Sequence, residues 1–422
     1  MLALGIMHAT LGSAFVLFPL LSFNPTGNND MPHRCFATHA GDIAVPSVPM
    51  PPWYSDPELL RDRSHVIPDD RGYDFVEVDI GDDTPHISKS TFDVLTRPTS
   101  RIVPFRDGRV YVRRLDGDKT KVEPLFLTYD ECIPNWFLSN TGSTLAWLGG
   151  SAAVGDESKG DKDDSPMDYF VIDLPTDAQI APVMSSQGVE SSPVRSYGDI
   201  MPSRQHAALL ATASGLLSFH KMHRYCSNCG SPTGQIKAGS ARRCTQTDCK
   251  TGVYPRIDPA VIMLVTSPCE NYALLGRKKS WPSGRYSTLA GFTEVGETLE
   301  ECVARETLEE AGVAVDPESV TFSSSQPWPF PRSLLVGFRA TALPTFKGDS
   351  SALPDVVADP TELEDARWFH RDYILENGLV DGHGSSALDF VPDEKEAVFH
   401  VPGPASLARV LITEWVKDRT NK

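Results

Sequence analysis

Apolar and polar positions change period along the chain. Between about residues 56 and 200 the pattern is one of short strands set off by turn residues, as in Tyr73–Val78, Arg109–Arg113, Thr144–Leu148 and Tyr169–Ile172. Over 203–223 the spacing becomes helical, through Ala208, Leu209, Ala211, Leu216 and Leu217. His220 and His223 fall at the end of that helix, where histidines commonly serve the helix dipole. Within Val253–Val265 a continuous apolar run follows Pro259 and reads as a buried strand. Tyr272–Gly276, Tyr286–Ala290, 317–323 and 333–342 are further strands, and Glu362–Phe369 leads into another. Ala405–Lys417 is an amphipathic closing helix. In the middle stands 291–313, GFTEVGETLEECVARETLEEAGV. Thr298 with Glu301 forms a capping box that starts a helix, and Gly312 supplies a left-handed stop. Strands flanking this helix predict an α/β/α sandwich inside an α+β multidomain chain.

A chain of 422 residues is too long for one ordinary core. Residues 1–55 read as a disordered or targeting segment. A β-rich N-terminal domain is expected over 56–202, with a small, charged, flexible insertion at 149–165. A helix and a cysteine-rich module follow over 203–255, then the sandwich over 256–422. The first 23 residues contain no Lys, Arg, Asp or Glu, which fits either a targeting segment or an upstream start preceding Met31. No stable membrane partner is expected. The formal charge of −17 argues against non-specific nucleic-acid binding.

The carboxylates carry the first chemical signal. Glu306 and Glu310 are four apart on the central helix and share a face, with Glu309 beside them. Like charges so placed repel, and a divalent cation with hard oxygen preference would offset them. Arg305 is positioned to pair back to Glu297 and fix the preceding loop. A solvated acidic face is the plain alternative for the glutamates taken alone.

Cysteines carry the second signal. Cys226-x2-Cys229 is separated from Cys244-x4-Cys249 by residues 230–243. Two close thiolate pairs are what a tetrahedral zinc site requires, and four protein ligands leave no open position, so the zinc is structural. The other cysteines, Cys35, Cys132, Cys269 and Cys302, are scattered, which suits a reducing compartment. Around the first four lie Lys221, Arg224, Lys237, Arg242, Arg243 and Lys250, a locally basic stretch. The third signal is Gln326-Pro327-Trp328-Pro329-Phe330-Pro331-Arg332-Ser333, read as a stiff loop whose two rings suit stacking.

The pattern Gly291-x5-Glu297-x7-Arg305-Glu306-Thr307-x-Glu309-Glu310-x-Gly312-Val313 resembles the Nudix box of hydrolases that cleave nucleoside diphosphates linked to another group. Thr307 stands where a bulky aliphatic is usual. The SQPWPFP stretch downstream, the upstream four-cysteine ribbon and the Tyr254-Pro255 step together resemble the NADH pyrophosphatase subfamily. The likeness is strong over roughly 200–417 and weak over 56–200.

That resemblance implies hydrolysis of NADH, and less efficiently NAD⁺, to nicotinamide mononucleotide and AMP, usually by a homodimer. It also implies removal of NAD caps from RNA by some members. It makes Glu306, Glu310, Glu362 and the Ala290 carbonyl ligands of catalytic magnesium or manganese, with zinc in the ribbon. It makes Gln326 to Ser333, Tyr254 and Ala408 substrate contacts. Glu309 is the first choice for the general base, with Glu297 or a loop carboxylate as alternatives. Cytoplasm or peroxisome is the expected compartment, although Arg419–Lys422 is not a Ser-Lys-Leu address. Two other readings stand beside this one: a different diphosphate such as a nucleotide sugar, and a zinc-ribbon nucleic-acid-binding module without turnover.

Overall fold

A computed structural model describes residues 89–115, 118–136, 144–151, 167–174, 176, 182–345, 352–379 and 398–418. The expected segment 1–55, the strand Tyr73–Val78 and residues 152–165 of the insertion lie outside these. The other expected strands and helices are present, with ends shifted by a few residues.

The first sheet contains β1 (Arg101–Arg106), β2 (Arg109–Leu115), β3 (Asp118–Pro124), β4 (Thr144–Ser151), β5 (Met167–Leu174) and β6 (Val189–Pro193). Its order is β3-β2-β1-β5-β4, with β6 also on β2. Two helices, α1 (Lys89–Leu95) and α2 (Tyr129–Trp136), cover one face through Leu95 and Cys132 against Ile102, Phe170 and Ile172. The other face, with Val103, Val112 and Val171, receives α3 (Arg204–Met222) through Ala207, Leu210 and Ala211. By its packing α3 therefore groups with this sheet, although 203–255 was expected to form one module with the ribbon. Ser203 caps its start by accepting from the His206 N–H at 3.2 Å.

The ribbon follows as β7 (Thr233–Ile236), β8 (Ala241–Cys244) and β9 (Gly252–Val253). Then comes the second sheet: β10 (Asp258–Thr266), β11 (Tyr272–Arg277), β12 (Leu289–Phe292), β13 (Thr321–Trp328), β14 (Ser333–Thr341) and β15 (Asp365–His370). Its order is β13-β14-β10-β11-β15, and β12 pairs with the first half of β10. The apolar run of β10 is explained by layers on both sides. Val261, Met263 and Val265 face α4 (Leu299–Ala311), while Ile262 and Leu264 face α5 (Leu407–Lys417). This is the α/β/α sandwich expected from the sequence. Among the described residues, no helix is long and apolar enough to cross a membrane.

Candidate active site

Helix α4 is fixed at both ends before it positions anything. Thr298 and Glu301 form the reciprocal capping box, and Gly312 closes the helix at φ +68°. Cys302, Val303, Thr307 and Ala311 are buried beneath it. Thr307 is fully buried, and its hydroxyl donates to the Val303 carbonyl at 2.7 Å, so the unusual residue satisfies itself within the helix.

Glu306 and Glu310 are buried as well, at 8% and 2% exposure. Glu306 lies across Gly291, where an added Cβ would stand 1.9 Å from the carboxyl carbon. Only glycine leaves room for that side chain. Glu310 Oε2 is buried without a hydrogen-bond partner. Burial pushes the Glu310 carboxyl up to about 8; the nearby Lys278 opposes this, and Glu306 and Glu362 add to it. Burial also raises Glu306. Hence Glu306, Glu310 and Glu362 repel one another, with an orphaned oxygen among them. Such a hard-oxygen donor set fits a divalent cation of the magnesium class. Ala290, on β12, aims its N–H at Glu310.

Arg305 organises the rim. It donates to both oxygens of Glu297, at 2.6 and 2.9 Å, and to the Phe292 carbonyl at 2.9 Å. Its Nη1 donates to Glu306 and to Glu309, each at 2.9 Å. The expected Glu297 pairing is present, and the same guanidinium also reaches back to its own helix. Arg305 holds the Glu297 carboxyl down at about 2, well below the usual range. With both oxygens engaged, Glu297 is a poor proton acceptor and a good loop anchor. Glu309 is more open, its side chain 59% exposed.

The proline-rich stretch differs from a loop. Gln326, Pro327 and Trp328 belong to β13 and pair with Leu335, Leu334 and Ser333 of β14. Proline is tolerated there because β13 is an edge strand and needs no ladder N–H on its open side. Only residues 329–332 form the turn. The Arg195 guanidinium sits 5.0 Å from the centre of the Trp328 ring, and Phe330 meets Trp328 edge-on. Nothing in the pattern around Arg195 distinguishes it, and it is absent from the sequence reading. Lys278 is a second omission.

Of the other expected contacts, Gln326 is 1% exposed. Its amide donates to the Ala405 carbonyl at 2.8 Å and accepts from the Leu407 N–H at 2.9 Å. That side chain is spent on seating α5. Ala408 is also buried, packed with Ile262 and Leu264. Arg332 pairs with Asp258 at 2.7 Å, and Ser333 lies at the start of β14. Phe330 packs against the first domain's core, and Pro331 completes the turn. Tyr254 is exposed, with the Lys237 ammonium 5.6 Å from its ring. Thus Pro327, Trp328, Pro329, Arg332 and Ser333 gather around one cavity, while Gln326 and Ala408 do not present themselves to solvent.

The four ribbon sulfurs all lie within 4.8 Å of one another. Cys226 is 3.8 Å from Cys249, and Cys229 is 3.4 Å from Cys244. The wider second knuckle closes through the Cys249 and Lys250 N–H groups, which both donate to the Gln246 carbonyl. Four thiols so arranged fit a structural zinc. The surrounding basic stretch is not all surface. Arg242 is 8% exposed and donates to Thr233 and to His220 Nδ1. His220 in turn contacts the Gly239 carbonyl at 2.7 Å. It is a buried link between α3 and the ribbon, unlike the dipole partner expected; His223, on the Phe219 carbonyl, does serve the helix end.

Residues 256–390 match the NUDIX domain family, and residues 221–254 match the NADH pyrophosphatase zinc ribbon domain. This chain carries a NUDIX domain. The chain is also similar to curated proteins. A human protein named NAD-capped RNA hydrolase NUDT12 is 37% identical over 223 residues, covering 51% of this chain and 43% of that protein. NAD-capped RNA hydrolase NudC of Mycobacterium tuberculosis is 39% identical over 226 residues, covering 54% and 65%. The chain thus spans less than two-thirds of the length of these relatives, 43% of one and 65% of the other. A solved NUDIX hydrolase from Nitrosomonas europaea aligns at 22% identity and a TM-score of 0.29, over 42% of this chain and 97% of that one.

Proposed function

We propose that the protein is a metal-dependent diphosphatase that splits NADH and NAD⁺ into the (reduced) nicotinamide mononucleotide and AMP. NAD-capped RNA is a second substrate of the same chemistry, supported by the names of the relatives. The carrying observation is the carboxylate set of α4: Glu306 folded over Gly291 and Glu310 buried with an unsatisfied oxygen.

Glu306, Glu310 and Glu362 would hold the divalent ions, magnesium or manganese. Such ions neutralise diphosphate charge and lower the pKa of bound water. Arg305 keeps Glu297 and the 292–297 loop against the helix, and orients Glu306 through the same guanidinium. Glu309 is the exposed member of that network and the favoured proton acceptor. The rings of Trp328 and Phe330 border the dinucleotide side, with Arg195 fixing the Trp328 plane. A homodimer belongs to the same reading and is tested by sedimentation.

Incubation of purified protein with NADH and magnesium should release AMP and reduced nicotinamide mononucleotide, resolved by chromatography. Glu310→Gln should lower turnover by at least about 100-fold with an unchanged circular dichroism spectrum. Near-normal turnover of Glu310→Gln at saturating magnesium would overturn the assignment.

A further inference from the structure

Glu362 joins the carboxylate set from outside α4, mounted on a strap that crosses from the end of that helix to the end of β11. The strap is pinned at both sides. The Val357 N–H donates to the Ala311 carbonyl at 2.9 Å and the Asp359 N–H to the Glu310 carbonyl at 3.0 Å. These carbonyls belong to the last turn of α4 and have no partner within the helix. On the far side the Glu364 N–H donates to the Arg277 carbonyl at 2.9 Å, and the Glu364 carboxylate pairs with the Arg277 guanidinium at 2.7 Å. Leu363, 4% exposed, is sunk into the core over Gly276, where an added Cβ would stand 3.0 Å from it.

Between these anchors Glu362 itself is exposed. Among the described residues, no hydrogen bond or ion pair holds its carboxylate. Its direction is therefore set by the backbone that carries it, and Asp359 shapes that backbone. Asp359 Oδ1 accepts from the Thr361 N–H and from the Thr361 hydroxyl, each at 2.8 Å, a side-chain turn of the Asx kind. The Asp359 carbonyl accepts from the Glu362 N–H at 3.1 Å and the Leu363 N–H at 2.8 Å. Pro360, between them, fixes its own φ and adds no donor. One residue thus links the main chain of Glu310 to the main chain of Glu362.

We infer that Asp359 is a positioning residue of the metal site: it holds the Glu362 arm at a fixed place beside Glu310, so that a divalent ion meets three carboxylates already assembled. It is not itself a ligand, because its Oδ1 is spent on Thr361. The inference rests on the reading of Glu306, Glu310 and Glu362 as the metal set. Partners that orient ligands in this way typically matter about 10- to 100-fold for metal affinity.

The test measures manganese binding to the full chain without substrate, from the electron paramagnetic resonance signal of the free ion. NADH turnover at graded magnesium is measured beside it. Asp359→Ala should weaken manganese binding about tenfold and raise the magnesium needed for half-maximal turnover by a similar factor. The KM for NADH at saturating magnesium should not change. Asp359→Asn keeps an oxygen that accepts both Thr361 bonds and should restore wild-type binding. In a Glu362→Gln background, Asp359→Ala should have no further effect, because the arm it positions no longer carries a charge.

A full additional loss on top of Glu362→Gln would make Asp359 a purely structural residue and overturn the inference. So would equal losses in Asp359→Asn and Asp359→Ala, which would make the charge of Asp359 the active property. Should Asp359→Ala not fold, Thr361→Val, at an exposed position, removes the hydroxyl donor alone. A loss of manganese affinity there that vanishes in Glu362→Gln supports the inference, and wild-type affinity overturns it. If Glu362→Gln alone leaves manganese binding unchanged, the ligand set of the proposed function fails and the inference falls with it. If Glu362→Gln weakens binding and Asp359→Ala does not, the inference alone fails. The expected manganese pattern in a protein that cleaves no NADH removes the substrate reading and leaves the inference standing.

Discussion

Gly291 shows how little space separates a working carboxylate from a displaced one. A methyl group there occupies the position of the Glu306 carboxyl. Gly291→Ala should therefore cost about 1–3 kcal/mol of stability by overpacking. It should lower turnover far more than the melting temperature suggests, because Glu306 must leave the set. Parallel thermal melts and AMP-release assays check this; wild-type turnover would refute it. The glycine and the glutamates were legible in the sequence because the box fixes their spacing. The burial of Glu310 was not, since a helix that carries Glu306 and Glu310 beside Cys302, Val303 and Ala311 also reads as one with a solvated acidic side. Gln326 went the other way. An amide donates and accepts equally well to a ligand or to a backbone, and its partners, Ala405 and Leu407, are about eighty residues away.

Elements whose signals are local were read well. The capping box of α4 is a contact between Thr298 and Glu301, and it forms as expected. Thr298→Ala should destabilise the domain by about 1 kcal/mol, seen as a lower denaturant midpoint with unchanged slope. The end of β13, Gln326 to Trp328, was read as part of a loop made stiff by its prolines; its place at the sheet edge is a tertiary fact. The join between α3 and the ribbon was equally hidden. There His220 is kept neutral: burial first, then the Arg242 charge, pushes its pKa from 6.5 to about 4. The unfolded chain takes up a proton near pH 6.5 that the folded chain refuses until about pH 4. Stability should fall as pH drops through that window, and His220→Gln should flatten the slope. Chemical denaturation at several pH values measures it; an unchanged slope in the variant would remove His220 from the account.

At the scale of the whole molecule, the ribbon is wedged between neighbours. Gly239, beside its strands, lies so close to Ala146 of β4 that an added Cβ would stand 2.6 Å from the alanine Cβ. Stripping zinc with a chelator should lower the melting temperature and reduce NADH turnover, although no sulfur belongs to the carboxylate set. Turnover unaffected by zinc loss would show the ribbon to be dispensable. Segments far apart in the described chain are also stitched together. Asp199, just before α3, accepts from the Ala405 N–H at 2.6 Å, and Ala405 is buried with Val103 and Val112 in the first domain's core. Gln326 holds the same segment from the other sheet. On the ribosome, where the N-terminal part emerges first, that core waits for residues some two hundred positions later before its last gap is filled. A message truncated ahead of Ala405 would yield a chain with Glu306, Glu310, Glu362 and every cysteine of the ribbon, yet with the two sheets left unfastened and open to proteolysis.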